Sequence, residues 1–462
     1  MYNKKNRISG YTVLLSDSDL LRLARELSFV RSRLRNRKDS QINISSEKKI
    51  LTAIYKCVFK ASSDCVELPP VAEVLIDNFY LIEKNLTAIS ESVKTQKLSP
   101  TLPILAEGAR NGQLRVYSIA RELLSHKEYR FNEEIFYSYI REFQKTAPLG
   151  SAELDLFPLM LKIVCIEQLT VNALTAIQTI AEYESANETW KAIQKYSNSM
   201  RKQKEIIRQS AKVLDSAGIN HLYSNLSEKD SFELILTLKE ELAAQSKTIE
   251  NENDLFIQRQ SDSHRLASNA INSLKVIDSM NWEQAIDRLS VVREALSADS
   301  LYMDMNLTSK KKYASIVANL ALDLDVTEAA VASRAVNLAK MHNTHVGSYL
   351  LNDRGIDELR KELRPDNKSK IKTNDQKLSK FILIQLAIAG VIVLFTAIFN
   401  LWEALFVVTP ALTIANAITV RLIMKSVKPR FIPRLEIGNT LSENMRTIVI
   451  VPTLIPDRAS VE

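Results

Sequence analysis

From Pro158 to Pro365 the chain contains no further proline, and between Gly150 and Gly347 the only glycine is Gly218. Proline removes a backbone donor and glycine raises the entropy cost of ordering, so helices avoid both in their interiors. A stretch of some two hundred residues without them, rich in Leu, Ala, Glu, Lys and Ser, is predicted to be almost entirely helical. The same regularity continues on the N-terminal side. Ser16 to Asp19 supply caps for a helix with Leu20, Leu23, Leu27, Val30 and Leu34 on one face. Pro69 and Pro70 open another, with Val71, Val74, Leu75, Phe79, Ile82 and Leu86 as its stripe. Further helices are predicted over 116–124, 132–143, 151–180, 274–296, 309–321 and 327–341. The segment from Tyr183 to about Arg265 is charged and loosely amphipathic and reads as an arm of long helices broken near Gly218. Its contacts are expected at Trp190, Ile193, Ile206, Ile207 and Leu214.

The fold class expected is therefore mainly α. The charge adds a second feature. The chain carries a net +7, yet ten basic residues face only Asp366, Asp375 and Glu403 between Asp366 and Arg434, so the remainder is neutral. The basic excess flanks the most apolar part of the sequence, which speaks for a lipid bilayer and against nucleic acid. Two apolar stretches, 381–399 and 404–420, are expected to form a two-helix transmembrane hairpin. Pro410 would kink the second, and Thr409, Thr413 and Asn416 would face helices and not lipid. By the positive-inside rule both long ends would lie in the cytoplasm and the turn outside, giving a multi-pass membrane protein. The organisation expected is a helical cytoplasmic region over 1–370, the hairpin over 381–420, and a basic link with the first strand of a further domain over 421–462. That strand is Thr447–Val451, a β-branched run stopped by Pro452 and ending close to Glu462.

Candidate chemistry is sparse. Cys57, Cys65 and Cys165 lack metal-ligand or redox spacing and read as reduced thiols. His342 and His345 lie three apart, with no acidic residue between Glu328 and Asp353 to complete a metal site. Asp323 and Asp325 imitate the Asp-x-Asp of sugar-nucleotide enzymes, but their surroundings read as a helix end and the cap of the next helix at Thr327. The same stretch has a helix-turn-helix appearance, yet its second helix offers only Arg334 and Lys340 as cations, too few for a phosphate backbone. No catalytic residue, metal ligand or cofactor site is assigned.

Several long motifs resemble one family. They are AEVLIDNFYLIEKNL from Ala72, the segment from Leu114 to Leu169, INSLKVIDSMNWEQAIDRLSVVREAL from Ile271, and YMDMNLTSKKKY from Tyr302. HVGSYLLNDRGIDELRKEL from His345 and PRLEIGNTLSENMRTIVIVPTL from Pro433 complete the series. In collinear order these are similar to the bacterial cyclic β-1,2-glucan synthases, with 183–265 matching least well. The resemblance implies large inner-membrane enzymes that build a β-1,2-glucan from UDP-glucose. It also implies that the strand at Thr447–Val451 opens their glycosyltransferase domain. On that basis the chain is expected to be the N-terminal, non-catalytic, membrane-anchoring part of such a synthase, the product of a truncated or split gene, with the remaining glycosyltransferase part as its partner where that part is encoded separately. Pro452 and Thr453 would border a uridine pocket only once that domain is supplied. The alternative is a catalytically inactive, membrane-anchored scaffold that binds a partner synthase or an envelope protein.

Overall fold

The computed structural model describes residues 13–34, 44–63, 67–95, 102–108, 110–364, 374–398, 401–426 and 432–436. They divide into two compact units, 1–294 and 295–462.

The first unit is organised by one helix, Ser151–Lys195, of 45 residues. Its first half presents Leu, Phe, Met, Ile and Val at every angular position, so it is buried on all sides instead of along one stripe. Helices Ser45–Ser63, Arg115–Ser125, Phe79–Thr95 and Ile249–Ser279 surround it. Its start is held by Glu153, whose Oε2 accepts the backbone N–H of Gly150 at 3.0 Å. The same carboxylate pairs with Arg115, at 2.9 Å from Nε and 2.5 Å from Nη2. Cys165 is fully buried here, and burial pushes its thiol up to about 12, which makes it unreactive.

Two local expectations are revised. The predicted helix from Pro70 is two helices, Pro70–Asp77 and Phe79–Thr95, parted at Asn78, whose side-chain amide donates to the Val74 carbonyl at 3.0 Å. The break leaves the stripe intact, since Val71, Leu75, Ile82 and Leu86 are all buried. The first helix is shorter than its apolar stripe suggested. It spans Asp17–Ser28, capped by Ser16 Oγ at 3.2 Å from the Asp19 N–H, and Leu34 lies instead in a strand. That strand, Ser32–Leu34, pairs antiparallel with Pro103–Leu105. The partner lies some seventy residues away, so no local pattern announces it.

The stretch that reads as an arm is a small helical cluster with a core of its own. The end of the long helix packs with Met200–Ser210 and Ser216–Glu228, and Phe232–Ala244 packs on those two. Ile193, Ile207, Leu214, Leu222, Leu226 and Leu238 are buried, with Trp190 and Ile206 packed against them. The helices do part near Gly218, at 211–215, although Gly218 itself is helical. It lies in the first turn of Ser216–Glu228, where a Cβ would come within 2.8 Å of both Glu182 Oε2 and Leu214 Cδ2. Glycine is needed there for close approach to the long helix.

Buried tyrosines make this unit sensitive to alkali. The Tyr117 hydroxyl donates to Glu167 Oε2 at 2.6 Å and accepts from Arg121 Nη1 at 3.1 Å. Burial, then the Glu167 carboxylate, drives the Tyr117 phenol well above its ordinary value of 10.0. Burial raises Tyr139 likewise and pushes Tyr183 up to about 12. Below pH 10 both folded and unfolded chains keep these protons. Above it the unfolded chain releases protons that the folded chain retains, so stability falls as pH rises. Thermal unfolding followed from pH 8 to pH 11 is expected to show a melting temperature that drops above about pH 10. Tyr117→Phe should reduce the drop, and a flat profile would contradict this account.

The second unit holds Leu307–Leu324, Glu328–Met341 and Asp353–Leu363 with two short helical turns. Asn306 and Thr327 cap the first two, and Asp325 closes the first in a left-handed conformation, φ 52°. Tyr313, Val317, Leu324, Val331, Ala335 and Leu359 are buried among them. The short segment 432–436 runs beside this bundle. Its Arg434 carbonyl accepts the Asn306 N–H at 3.0 Å, and Glu436 N–H donates to the Asp304 carbonyl at 2.7 Å.

Two helices, Asn374–Ala397 and Leu401–Ser426, form where the membrane hairpin was expected. They pack on one another, with Ala389, Ala411, Ala415 and Thr419 buried. Among the described residues, however, no helix is long and apolar enough to cross a membrane. The transmembrane hairpin in the expected fold is therefore not supported, nor is the expected multi-pass inner-membrane location. Polar and charged residues give the reason. Asn374–Ala397 opens with Asp375, Lys377 and Lys380, and Leu401–Ser426 carries Glu403, Thr409, Pro410, Thr413, Asn416, Arg421 and Lys425.

Candidate functional site

A polar cleft of about 450 Å³ lies in the first unit, between Ser151–Lys195, Ile249–Ser279 and the start of Ser216–Glu228. Its volume falls within the range of ligand pockets, about 300–1,000 Å³. Helical spacing builds it. On the long helix Asn172, Thr175 and Thr179 recur at i, i+3 and i+7, and on the facing helix Phe256, Gln260 and Ser263 recur at i, i+4 and i+7. Each set forms one stripe, and the two stripes line the same space.

Asn172 is 3 % exposed, Gln260 8 % and Ser263 6 %. The side chains are only partly satisfied. Asn172 Oδ1 accepts from Gln168 Nε2 at 3.1 Å, while its Nδ2 has no partner in the protein. Gln260 Nε2 donates to Thr179 Oγ1 at 3.2 Å, while its Oε1 is unmatched. Ser263 Oγ is unmatched altogether. A buried polar group without a partner costs about 1–3 kcal/mol.

The carboxylates around the cleft are already engaged. Asp215 Oδ1 accepts the Ala217 and Gly218 N–H groups at 2.8 and 3.2 Å, capping the third helix. Asp262 pairs with Arg265 at 2.6 Å. Arg259 is exposed and donates to Ser216 Oγ at 3.3 Å. Phe256, partly exposed, adds an aromatic surface and lies 6.4 Å, centroid to centroid, from Tyr183. Amides and hydroxyls are good hydrogen-bonding groups and poor acids, bases and nucleophiles unless activated, so the arrangement suits binding.

The residues weighed in the sequence fall elsewhere. Asp323 and Asp325 pair with Arg360 and Arg364, each at 3.2 Å. His342 Nδ1 meets the Tyr349 hydroxyl at 2.5 Å, and His345 Nδ1 accepts the Gly347 N–H at 2.9 Å. The fold does bring a carboxylate near His345, since Asp299 Oδ1 lies 3.6 Å from its Nε2. Asp299 is occupied in capping the Leu301 and Tyr302 N–H groups and in accepting from Val346 N–H at 2.7 Å. Among the described residues no group of three His, Cys, Asp or Glu is placed to hold a metal ion. Pro452 and Thr453 lie outside the described residues, as does the strand that carries them. The cleft itself went unread in the sequence. Its signal was Asn172 and Thr179 standing at buried positions of the long helix, among apolar neighbours.

The motif resemblance holds up in comparison with known proteins. The chain is weakly homologous to the cyclic beta-(1,2)-glucan synthase NdvB of Rhizobium meliloti (strain 1021), 23 % identical over 452 residues. The match covers 90 % of this chain and 16 % of that protein, so the chain spans only a small part of the length of its relative. No protein-family model matches it.

Proposed function

From that likeness to a cyclic glucan synthase, we propose that the chain serves β-1,2-glucan synthesis as a helical part that does not itself transfer glucose. The observation that carries the reading is the extent of the similarity, which runs over 452 residues and through both compact units. The cleft supports a binding role and not transfer, because it offers amides and hydroxyls where transfer needs a positioned base and stabilised charge. The partner of this part is a glycosyltransferase that makes the glucan from UDP-glucose. Deleting the gene for this chain in its own bacterium is expected to lower cellular β-1,2-glucan several-fold. Re-expression should restore it. Unchanged glucan in the deletion strain would overturn the reading, and so would robust glucosyl transfer from UDP-glucose by the purified chain alone.

A further inference from the structure

We propose that His126 is a pH-sensitive clasp, which fastens residues 13–17 to the first unit while its imidazole carries both ring protons. Both ring nitrogens face acceptors. Nδ1 lies 2.8 Å from the Val13 carbonyl oxygen, and Nε2 lies 3.1 Å from Glu122 Oε2. A neutral imidazole has one N–H and serves one of them, whereas the imidazolium donates to both. A carbonyl cannot turn into a donor. Glu122 is not free to donate either, because its other oxygen, Oε1, is the ion-pair partner of Arg110. The contacts are therefore satisfied together only by the charged ring. Its position agrees, since His126 is the C-cap of Arg115–Ser125, and the carbonyls at a helix end favour a cation. His221 makes an instructive contrast. Its nitrogens face Asn187 and Glu67, but an Asn amide can turn its NH2 to the ring, so that geometry fixes no proton count.

The Val13 contact belongs to a set. Leu15 N–H donates to the His126 carbonyl at 3.2 Å, and Lys127 Nζ donates to the Leu15 carbonyl at 2.9 Å and pairs with Asp17 at 2.5 Å. When the ring loses a proton, the carboxylate is the stronger acceptor and keeps the Nε2–H. The Nδ1 lone pair then opposes the Val13 carbonyl, and the segment loosens over Leu15, which packs against the core. The charged groups around the ring are Glu122 on its own helix, Arg110 from the segment before that helix, Lys127 beside it, and Asp17 at the start of Asp17–Ser28. Tyr139 of Glu133–Gln144 stands near Glu122 and Arg110, and burial keeps its phenol protonated far above neutral pH. Histidine is thus the group of this set that ordinarily titrates between pH 5 and 8. The clasped form holds a proton that the loosened form gives up. The clasp is therefore complete below the ordinary histidine value of about 6.5 and weakens as pH rises above it.

The test follows amide hydrogen exchange of the full chain from about pH 5.5 to about pH 8, with each rate corrected for the intrinsic pH dependence of exchange. Protection over 13–20 is expected to fall at least tenfold across this range, while 151–180 keeps its protection. His126→Gln, whose amide does not titrate, is expected to remove the pH dependence. Glu122→Gln is expected to keep 13–20 protected at the upper pH. The new amide N–H can donate to Nε2, which lets a neutral ring carry its proton on Nδ1 for Val13. Protection over 13–20 that stays flat with pH in the unaltered chain would overturn the clasp, and that measurement decides even where a variant fails to fold. A fall that persists in His126→Gln would overturn it by assigning the proton to another group. A fall unchanged in Glu122→Gln would overturn the requirement for two acceptors.

Discussion

Phe136→Ala is expected to destabilise the first unit by about 3–5 kcal/mol, the range for removing a large aromatic side chain from a packed core. Phe136 is completely buried in Glu133–Gln144. Its ring meets Phe157 edge-on at 5.4 Å and Trp282 edge-on at 5.6 Å, with Phe131 also 5.6 Å away. These partners come from the long central helix, from a helix near the end of the unit, and from the turn before Phe136's own helix. One truncation therefore loosens three elements at once, and the surrounding helices are too rigidly packed to close the void. Chemical denaturation should show the loss as a lower midpoint with an unchanged slope. A change below about 1 kcal/mol would mean that the cluster does not hold the unit together.

Glu153→Ala is expected to cost a comparable amount, about 3–5 kcal/mol, by a different route. The Glu153 and Arg115 side chains are 3 % and 11 % exposed, so neither charge has much water to fall back on. Removing the carboxylate leaves the Arg115 guanidinium buried with the Pro148 carbonyl at 3.2 Å and the Phe143 ring face at 6.0 Å, and strips the Gly150 N–H of its acceptor at the start of the central helix. Arg115→Ala alone leaves Glu153 its backbone partner. The double variant is expected to be less damaging than the sum of the singles, since each single strands a buried group. Strict additivity in a double-mutant cycle would show that the pair does not act as a unit.

Much of the helical layout was legible because its causes are local. Scarce breakers, capping side chains and stripes at helical spacing act within a few residues, and Ser16 and Thr327 cap as their positions imply. The strand at Ser32–Leu34 was not legible, because its stability comes from backbone bonds to Pro103–Leu105. Gly218 reads as a breaker along the chain, and its close approach to Glu182 is visible only once two helices are laid side by side. The apolar runs 381–399 and 404–420 misled for a related reason. Counting apolar letters passes over the charged and polar residues that the two helices also carry, such as Asp375, Lys377, Lys380, Pro410 and Asn416.

The sequence by itself determined that this protein is helical, where many of its helices start, and which synthase it resembles. Those properties reside in single residues and short patterns. Only the tertiary structure decided where the polar cleft lies, that Asn172, Gln260 and Ser263 share it with unmatched atoms, and that Asp299 approaches His345. Asn172 and Gln260 are 88 positions apart, and no periodicity couples residues at that distance. What brings them together is the burial of the apolar faces around them, which sets two helices against each other and carries the polar stripes along.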